Sequence, residues 1–474
     1  MKNTHVLRSL TRVTVILAAL LALLASTGQH TYAAASTTAS TPKFNISKAI
    51  TAIPLKQYAQ KLALKNGKVV SAATGQSIPP CLTSGIAPRC YSPQQINKAY
   101  GITKSGETGK GRTIVIIDAS SSPTLQTDIH FYDQLYGLKD PKLNVFAPFG
   151  LPPVNGAYVE TALDIETAHA IAPDATIDLV VTGDTSLDTT DEQFFTDLLK
   201  PVQYAIDNNL GDSIDISYGG GESCFDSSYF QLQHQVFSSA LAKHISIMVS
   251  SGDSGAAIDA CAGGPNGPVS EALGVNALTA DPLVTSVGGT SLNLDTSGKY
   301  IGETTWDSLY YGEGTGGGFS TYYPRPAYQN SVTNNPHRGV PDVAWVADPN
   351  TGVPVVFSEG GATLIVPVGG TSVGAPAWAA ISALANQKAG KRLGFLNASI
   401  YRILQSTSYS KAFNDIITGD NSVVIYDSTG NQVYIPGYAA NTGWDPVTGV
   451  GTPIVNNLLG LLAKYVQTSD GNGP

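Results

Sequence analysis

The chain is poor in charge. Only 13% of its 474 residues are Asp, Glu, Lys or Arg, and 27 Lys plus Arg stand against 36 Asp plus Glu. With a net charge of −9 and no basic run after the N-terminus, nothing attracts phosphates, so nucleic acid is excluded as an expected partner. A chain with few ion pairs also has few to lose in acid, where paired carboxylates become protonated. Cysteine is confined to Cys81, Cys90, Cys224 and Cys261, and their spacing fits neither a zinc site nor a redox Cys-x-x-Cys pair. None of the seven histidines stands in a His-Gly-Thr setting. Past residue 25 no segment is apolar enough to span a bilayer. Hydrophobic residues make up 42% of the chain, with 49 Gly and 28 Pro, which suits a large loop-rich core and excludes disorder throughout.

The N-terminus carries Lys2, Arg8 and Arg12, then the apolar run Val13 to Ala25, then small residues around Ala33-Ala34-Ala35. This reads as a cleaved signal peptide over 1–34, so a secreted, extracellular protein with no membrane contact after cleavage is expected. An oxidising compartment makes the four cysteines a disulfide set with three pairings open; Cys81 with Cys90 and Cys224 with Cys261 are favoured as structural staples. Residues 35–90 open on the polar spacer STTASTPKFN and show no sustained periodicity, as in a short pro-region or N-terminal arm. A single domain is expected over 91–466, followed by a tail over 467–474.

From Cys90 onward, apolar runs alternate with amphipathic stretches. Strands are expected at 113–119, 175–182, 213–219, 245–252 and 283–289, and helices near 125–137, 156–171, 191–209 and 228–243. The alternation predicts right-handed βαβ crossovers and an α/β fold: a doubly wound, mostly parallel sheet flanked by helices. Ligands in such sheets sit beyond the carboxyl ends of the strands, which directs attention to the polar residues there.

Three motifs stand out. In Val368-Gly-Gly-Thr-Ser372-Val-Gly-Ala-Pro376, a serine sits between a strand and a small-residue helix, where helix-terminal N–H groups can polarise a carbonyl. An ordinary N-cap is the bland reading, and Gly288-Gly-Thr-Ser291 repeats the tetrapeptide without a following helix. A serine nucleophile needs a base. His169 on the 156–171 helix is expected to be a helix-surface residue. The same helix carries Glu160 and Asp164, four apart on one face and about 6 Å apart at Cβ. Either this is an acidic solvated face, or the apolar flanks bury the pair, so that like charges raise at least one pKa. Third is Ser-Gly-Asp253-Ser-Gly, which taken alone is a turn aspartate.

In this order the three motifs resemble the sedolisin family of serine-carboxyl peptidases over roughly residues 90–466. Gly316-Gly-Gly-Phe319-Ser320, Arg338-Gly-Val-Pro-Asp342, Phe413-Asn-Asp415-Ile416 and Gly443-Trp444-Asp445-Pro446 are similar to the same family. The resemblance implies a subtilisin-like fold and cleavage of polypeptides at acidic pH. It assigns Ser372 as nucleophile, Glu160 as general base and later acid, Asp164 as the residue orienting Glu160, and protonated Asp253 as donor to the oxyanion. A carboxylate base suits acid, because histidine is already protonated well below its usual pKa of about 6.5. The family's single calcium ion maps onto Asp415 and Asp445 side chains and the carbonyls of Ile416, Asn441 and Gly443, an all-oxygen set. Where some members carry Glu and Trp beside the triad, this chain has Asp118 and Tyr218. The family's prosegment is usually long, whereas here about 55 residues separate the signal from Cys90. An endopeptidase acting as a monomer is the leading expectation. The alternatives are a tripeptidyl-peptidase, a conventional subtilisin-like enzyme using Asp118 and a histidine, or a silent binding protein on the same scaffold.

Overall fold

A computed structural model describes residues 53–76, 90–152, 157–183, 191–264, 269–427 and 430–466. The expected signal peptide, Cys81 and the tail lie outside the described residues.

The run TIVIID forms the central strand Thr113–Asp118 because β-branched residues on a strand buried on both faces need no polar alternation. Thr176–Val181 and then Lys142–Phe146 lie on one side of it; Ser213–Ile216, Ser246–Ser250 and Thr285–Leu294 lie on the other. All of these pairings are parallel, and Val343–Val346 adds a further parallel pairing to Thr285–Leu294. Tyr300–Thr305 closes that end antiparallel. The expected strands therefore form one mostly parallel, subtilisin-like sheet.

Alternation along the central strand separates two cores. Ile114 and Ile116 join the layer holding Leu163, Ile165, Trp378 and Leu384, from helices Tyr158–Ile171 and Gly374–Ala389. Val115 and Ile117 face Phe194, Leu198, Val236 and Phe237, from helices Asp191–Asp207 and Ser227–Ala242.

Helix Tyr158–Ile171 is buried from Val159 to Ile171. It is enclosed by helix Leu125–Tyr136, helix Gly374–Ala389, strand Val353–Glu359 and the central sheet, so it has no solvent face. This corrects the expectation for His169. Its side chain is fully buried, with Nε2 2.9 Å from the Lys139 carbonyl and 3.2 Å from Asp133 Oδ1. Glu166 on the same helix accepts the Val356 N–H at 3.0 Å and ties the helix to the neighbouring hairpin.

That hairpin, Val353–Glu359 with Ala362–Gly369, leads into Ser372. Its other edge is taken by Ile53–Pro54 and Gln60–Lys65, and Lys68–Ser71 extends the sheet. Periodicity gives this stretch no elements; the Asn66-Gly67 pair is the hairpin signal that carries it. Both residues have positive φ, 53° and 72°, as a two-residue type I′ turn requires. Cys224 and Cys261 form the expected disulfide, with Cα atoms 4.8 Å apart.

Candidate active site

Strand Ala362–Gly369 delivers the chain to a tight turn, Thr371–Val373, and helix Gly374–Ala389 begins at once. Gly370 makes the corner with φ of 109°, a conformation that suits glycine, and its N–H bonds to the Ala347 carbonyl at 2.6 Å. Ser372 is thereby fixed at the strand-to-helix junction, buried, with no hydrogen bond to its Oγ among the described residues. Ser291 has a different place: it lies within strand Thr285–Leu294 and its hydroxyl is bound to Asp348 Oδ2 at 2.7 Å.

Asp253 follows strand Ser246–Ser250 in the turn past Gly252. Its Oδ1 accepts both the Thr371 N–H, at 2.7 Å, and the Thr371 hydroxyl, at 2.8 Å. Its Oδ2 is buried and has no hydrogen-bond partner among the described residues. Burial pushes the Asp253 pKa up to about 7, against the two Thr371 bonds that stabilise the anion. Such a carboxyl is protonated in acid and has one oxygen left to donate.

Glu160 and Asp164 stand on the first two turns of the buried helix Tyr158–Ile171, which packs against the Ser372 turn. The solvated acidic face considered as an alternative is ruled out, since the two side chains are 1% and 0% exposed. Asp164 is held well above the usual carboxylate range by burial, and then by the charges of Asp215, Glu160 and Asp118. Asp118, at the end of the central strand, is pushed up to about 6 by burial, against hydrogen bonds from Thr161, Tyr218 and the N–H groups of Ser120 and Ala119. Tyr218 donates its hydroxyl directly to Asp118 Oδ1. The structure therefore gathers Ser372, Glu160, Asp164 and Asp253 around one strand-to-helix junction, with Asp118 and Tyr218 behind them.

Sequence reasoning missed two residues here. Asn276 bonds the carbonyls of Ser250 and Tyr218 at 2.9 and 3.2 Å, bracing two strand ends that border the site. Asp215 is fully buried on strand Ser213–Ile216. A charged residue between isoleucines in SIDIS is the signal that points to it.

The expected metal-binding positions also converge. The Gly443 N–H reaches both Asp415 oxygens at 3.1 and 3.0 Å, and the Asn441 N–H reaches Asp445 Oδ2 at 2.9 Å. The Thr448 hydroxyl links the Ile416 carbonyl, at 3.5 Å, to Asp445. The Tyr409 hydroxyl interacts with the Asp415 carboxylate and also feels the charge of Asp445. Among the described residues no group of three or more His, Cys, Asp or Glu side chains could hold a metal, so backbone carbonyls would have to complete the set. Two carboxylates completed by backbone carbonyls would make an all-oxygen set of the kind a hard cation takes. Arg338 and Asp342, from another of the motifs, form a buried bidentate pair at 2.8 and 2.5 Å that braces the core.

No family model matches the chain. Kumamolisin from Bacillus sp. (strain MN-32) is 32% identical over 391 residues, 79% of this chain and 64% of kumamolisin. Tripeptidyl-peptidase 1 from Dictyostelium discoideum is 29% identical, over 78% of this chain and 58% of its own length. The structure of Pseudomonas sedolisin, a serine-carboxyl proteinase, superposes with a TM-score of 0.66 at 25% identity, covering 82% of this chain and all of that one. The chain belongs to the sedolisin family. It spans between 34% and 64% of the length of the curated relatives it matches.

Proposed function

We propose that the chain is a secreted serine-carboxyl endopeptidase that hydrolyses peptide bonds of proteins at acidic pH. One observation carries this reading: Asp253 is anchored through one oxygen to Thr371, the residue before Ser372, while its other oxygen is buried with no partner among the described residues.

In the proposed mechanism Ser372 Oγ attacks the scissile carbonyl while Glu160 takes its proton, and Asp164 orients Glu160. The oxyanion accepts a hydrogen bond from protonated Asp253, a donor already in place in a buried site. Collapse of the tetrahedral intermediate passes the proton from Glu160 to the departing amine. Water then attacks the acyl-enzyme with Glu160 again as base, which releases the acid and restores Ser372. The donor exists only while Asp253 is protonated, so activity falls as pH rises through about 7.

Asp415, Asp445 and the carbonyls of Ile416, Asn441 and Gly443 would hold one calcium ion. Its contribution would be structural, tying together the ends of the excursion between residues 416 and 441 and offsetting the burial of Asp445.

The test is hydrolysis of an unfolded protein from about pH 2 to 8 by the folded chain and by Glu160→Gln. Acid-peaked cleavage that the substitution removes supports the reading. Cleavage that peaks near neutrality and survives it overturns the reading. Similarity to a tripeptidyl-peptidase favours a second specificity on the same chemistry, and product mass separates the two: internal fragments mark an endopeptidase, N-terminal tripeptides the alternative.

A further inference from the structure

A third acid lies behind the candidate triad. Along strand Ser213–Ile216, Ile214 and Ile216 pack into the layer of helices Asp191–Asp207 and Ser227–Ala242, so Ser213 and Asp215 turn the other way. The Ser213 hydroxyl bonds the Ala379 carbonyl of the serine helix at 2.9 Å, and the Ser217 hydroxyl is 3.5 Å from the carbonyl of Ser372. Asp215 thus points into the layer that holds Glu160, Asp164 and Ser372.

There its carboxyl meets that of Asp164 within hydrogen-bond reach. Among the described residues no N–H or O–H donates to either oxygen of Asp164. Two carboxyls in dry contact cannot both be ionised, so a proton lies between them. The surrounding titratable groups are Glu160 on the helix, Asp118 on the central strand and Tyr218 just past Asp215. The facing strand Ser246–Ser250 has no titratable residue, and helix Gly374–Ala389 has only Lys388, at its far end and paired with Glu107. A proton shared by Asp164 and Asp215 relieves the repulsion between them.

We infer that Asp215 is a positioning residue of the hydrolytic site: it shares the proton of Asp164 and so sets the pH at which Glu160 becomes a base. This rests on the serine-carboxyl reading above. During turnover the shared proton stays in place, while a separate proton moves from Ser372 to Glu160 and on to the leaving amine. The negative charge of Asp215 opposes ionisation of the Glu160–Asp164 pair. Removing that charge lets the pair ionise at lower pH.

The experiment is the pH profile of kcat/KM for Asp215→Asn and Asp215→Ser beside the unsubstituted chain and Glu160→Gln. Both Asp215 variants are expected to move the acid limb down by about one pH unit and to leave the Asp253-controlled alkaline limb in place. Profiles parallel to that of the unsubstituted chain, lowered or not, overturn the inference and make Asp215 a purely structural residue. Failure of both neutral variants to fold overturns it too, because a carboxyl needed only to share a proton is dispensable to the fold once neutralised. Survival of activity in Glu160→Gln instead defeats the underlying reading, so the two failures are distinguishable.

Discussion

Thr371 donates twice to Asp253, from its backbone N–H at 2.7 Å and its hydroxyl at 2.8 Å, and is covalently joined to Ser372. Candidate nucleophile and candidate oxyanion donor therefore belong to one rigid unit, and the position of one sets that of the other.

Thr371→Val keeps the N–H bond and deletes the hydroxyl, which holds the Asp253 pKa down. The alkaline limb of activity is expected to move above about pH 7, with a several-fold drop in kcat as Asp253 loses an anchor. Asp253→Ala removes the donor altogether, and a loss of about 10²–10³ in kcat is expected. Steady-state kinetics across pH checks both; an unmoved limb in Thr371→Val contradicts the assignment.

Stability is expected to be greatest in acid. Asp118 and Asp253 have folded-state pKa values of about 6 and about 7 against 3.8 for the free group, and Glu166, Asp128 and Asp133 are also raised, all chiefly by burial. The folded state therefore binds protons that the unfolded chain releases. This contribution is fully present below about pH 4 and lost as pH rises through about 6 to 7. The urea midpoint at pH 7.5 is expected to lie below that at pH 4.5; equal midpoints count against the buried acids as drawn.

Calcium is expected to raise the melting temperature by several degrees when in large excess over its Kd, and a chelator to reverse the rise. Asp415→Asn and Asp445→Asn are each expected to abolish the shift, as read by thermal unfolding with and without the ion. A calcium-dependent rise that persists in both variants places the ion elsewhere.

Breaking the Cys224–Cys261 bridge, which joins residues 37 apart, is expected to cost about 4 kcal/mol through the entropy returned to the unfolded chain. Denaturant unfolding of the Cys224→Ser/Cys261→Ser double variant measures it, and a change under about 1 kcal/mol contradicts that account.

Much of this was legible in the sequence because the signals were local. Strand runs, the Gly-Gly corner before Ser372 and the i, i+4 spacing of Glu160 and Asp164 are properties of short windows, and each lies where its window places it. His169 was misread because its helix is walled in by elements from distant parts of the chain, including Val353–Glu359, which no window around residue 169 contains. Asp215 was missed for a related reason. A strand pattern reports which face a residue occupies, but the acid awaiting it there comes from a helix some fifty residues earlier.

Ile53–Pro54 and Gln60–Lys65 occupy the side of Ala362–Gly369 that Val353–Glu359 leaves open, and the Leu55 N–H bonds the Pro367 carbonyl at 2.9 Å. Trimming the chain back to Cys90 would strip that row of peptide groups of its partners along the strand that feeds Ser372. A bare strand edge is a template for any other extended chain. A molecule shortened in this way is therefore expected to self-associate edge to edge, with solubility failing before the chemistry does.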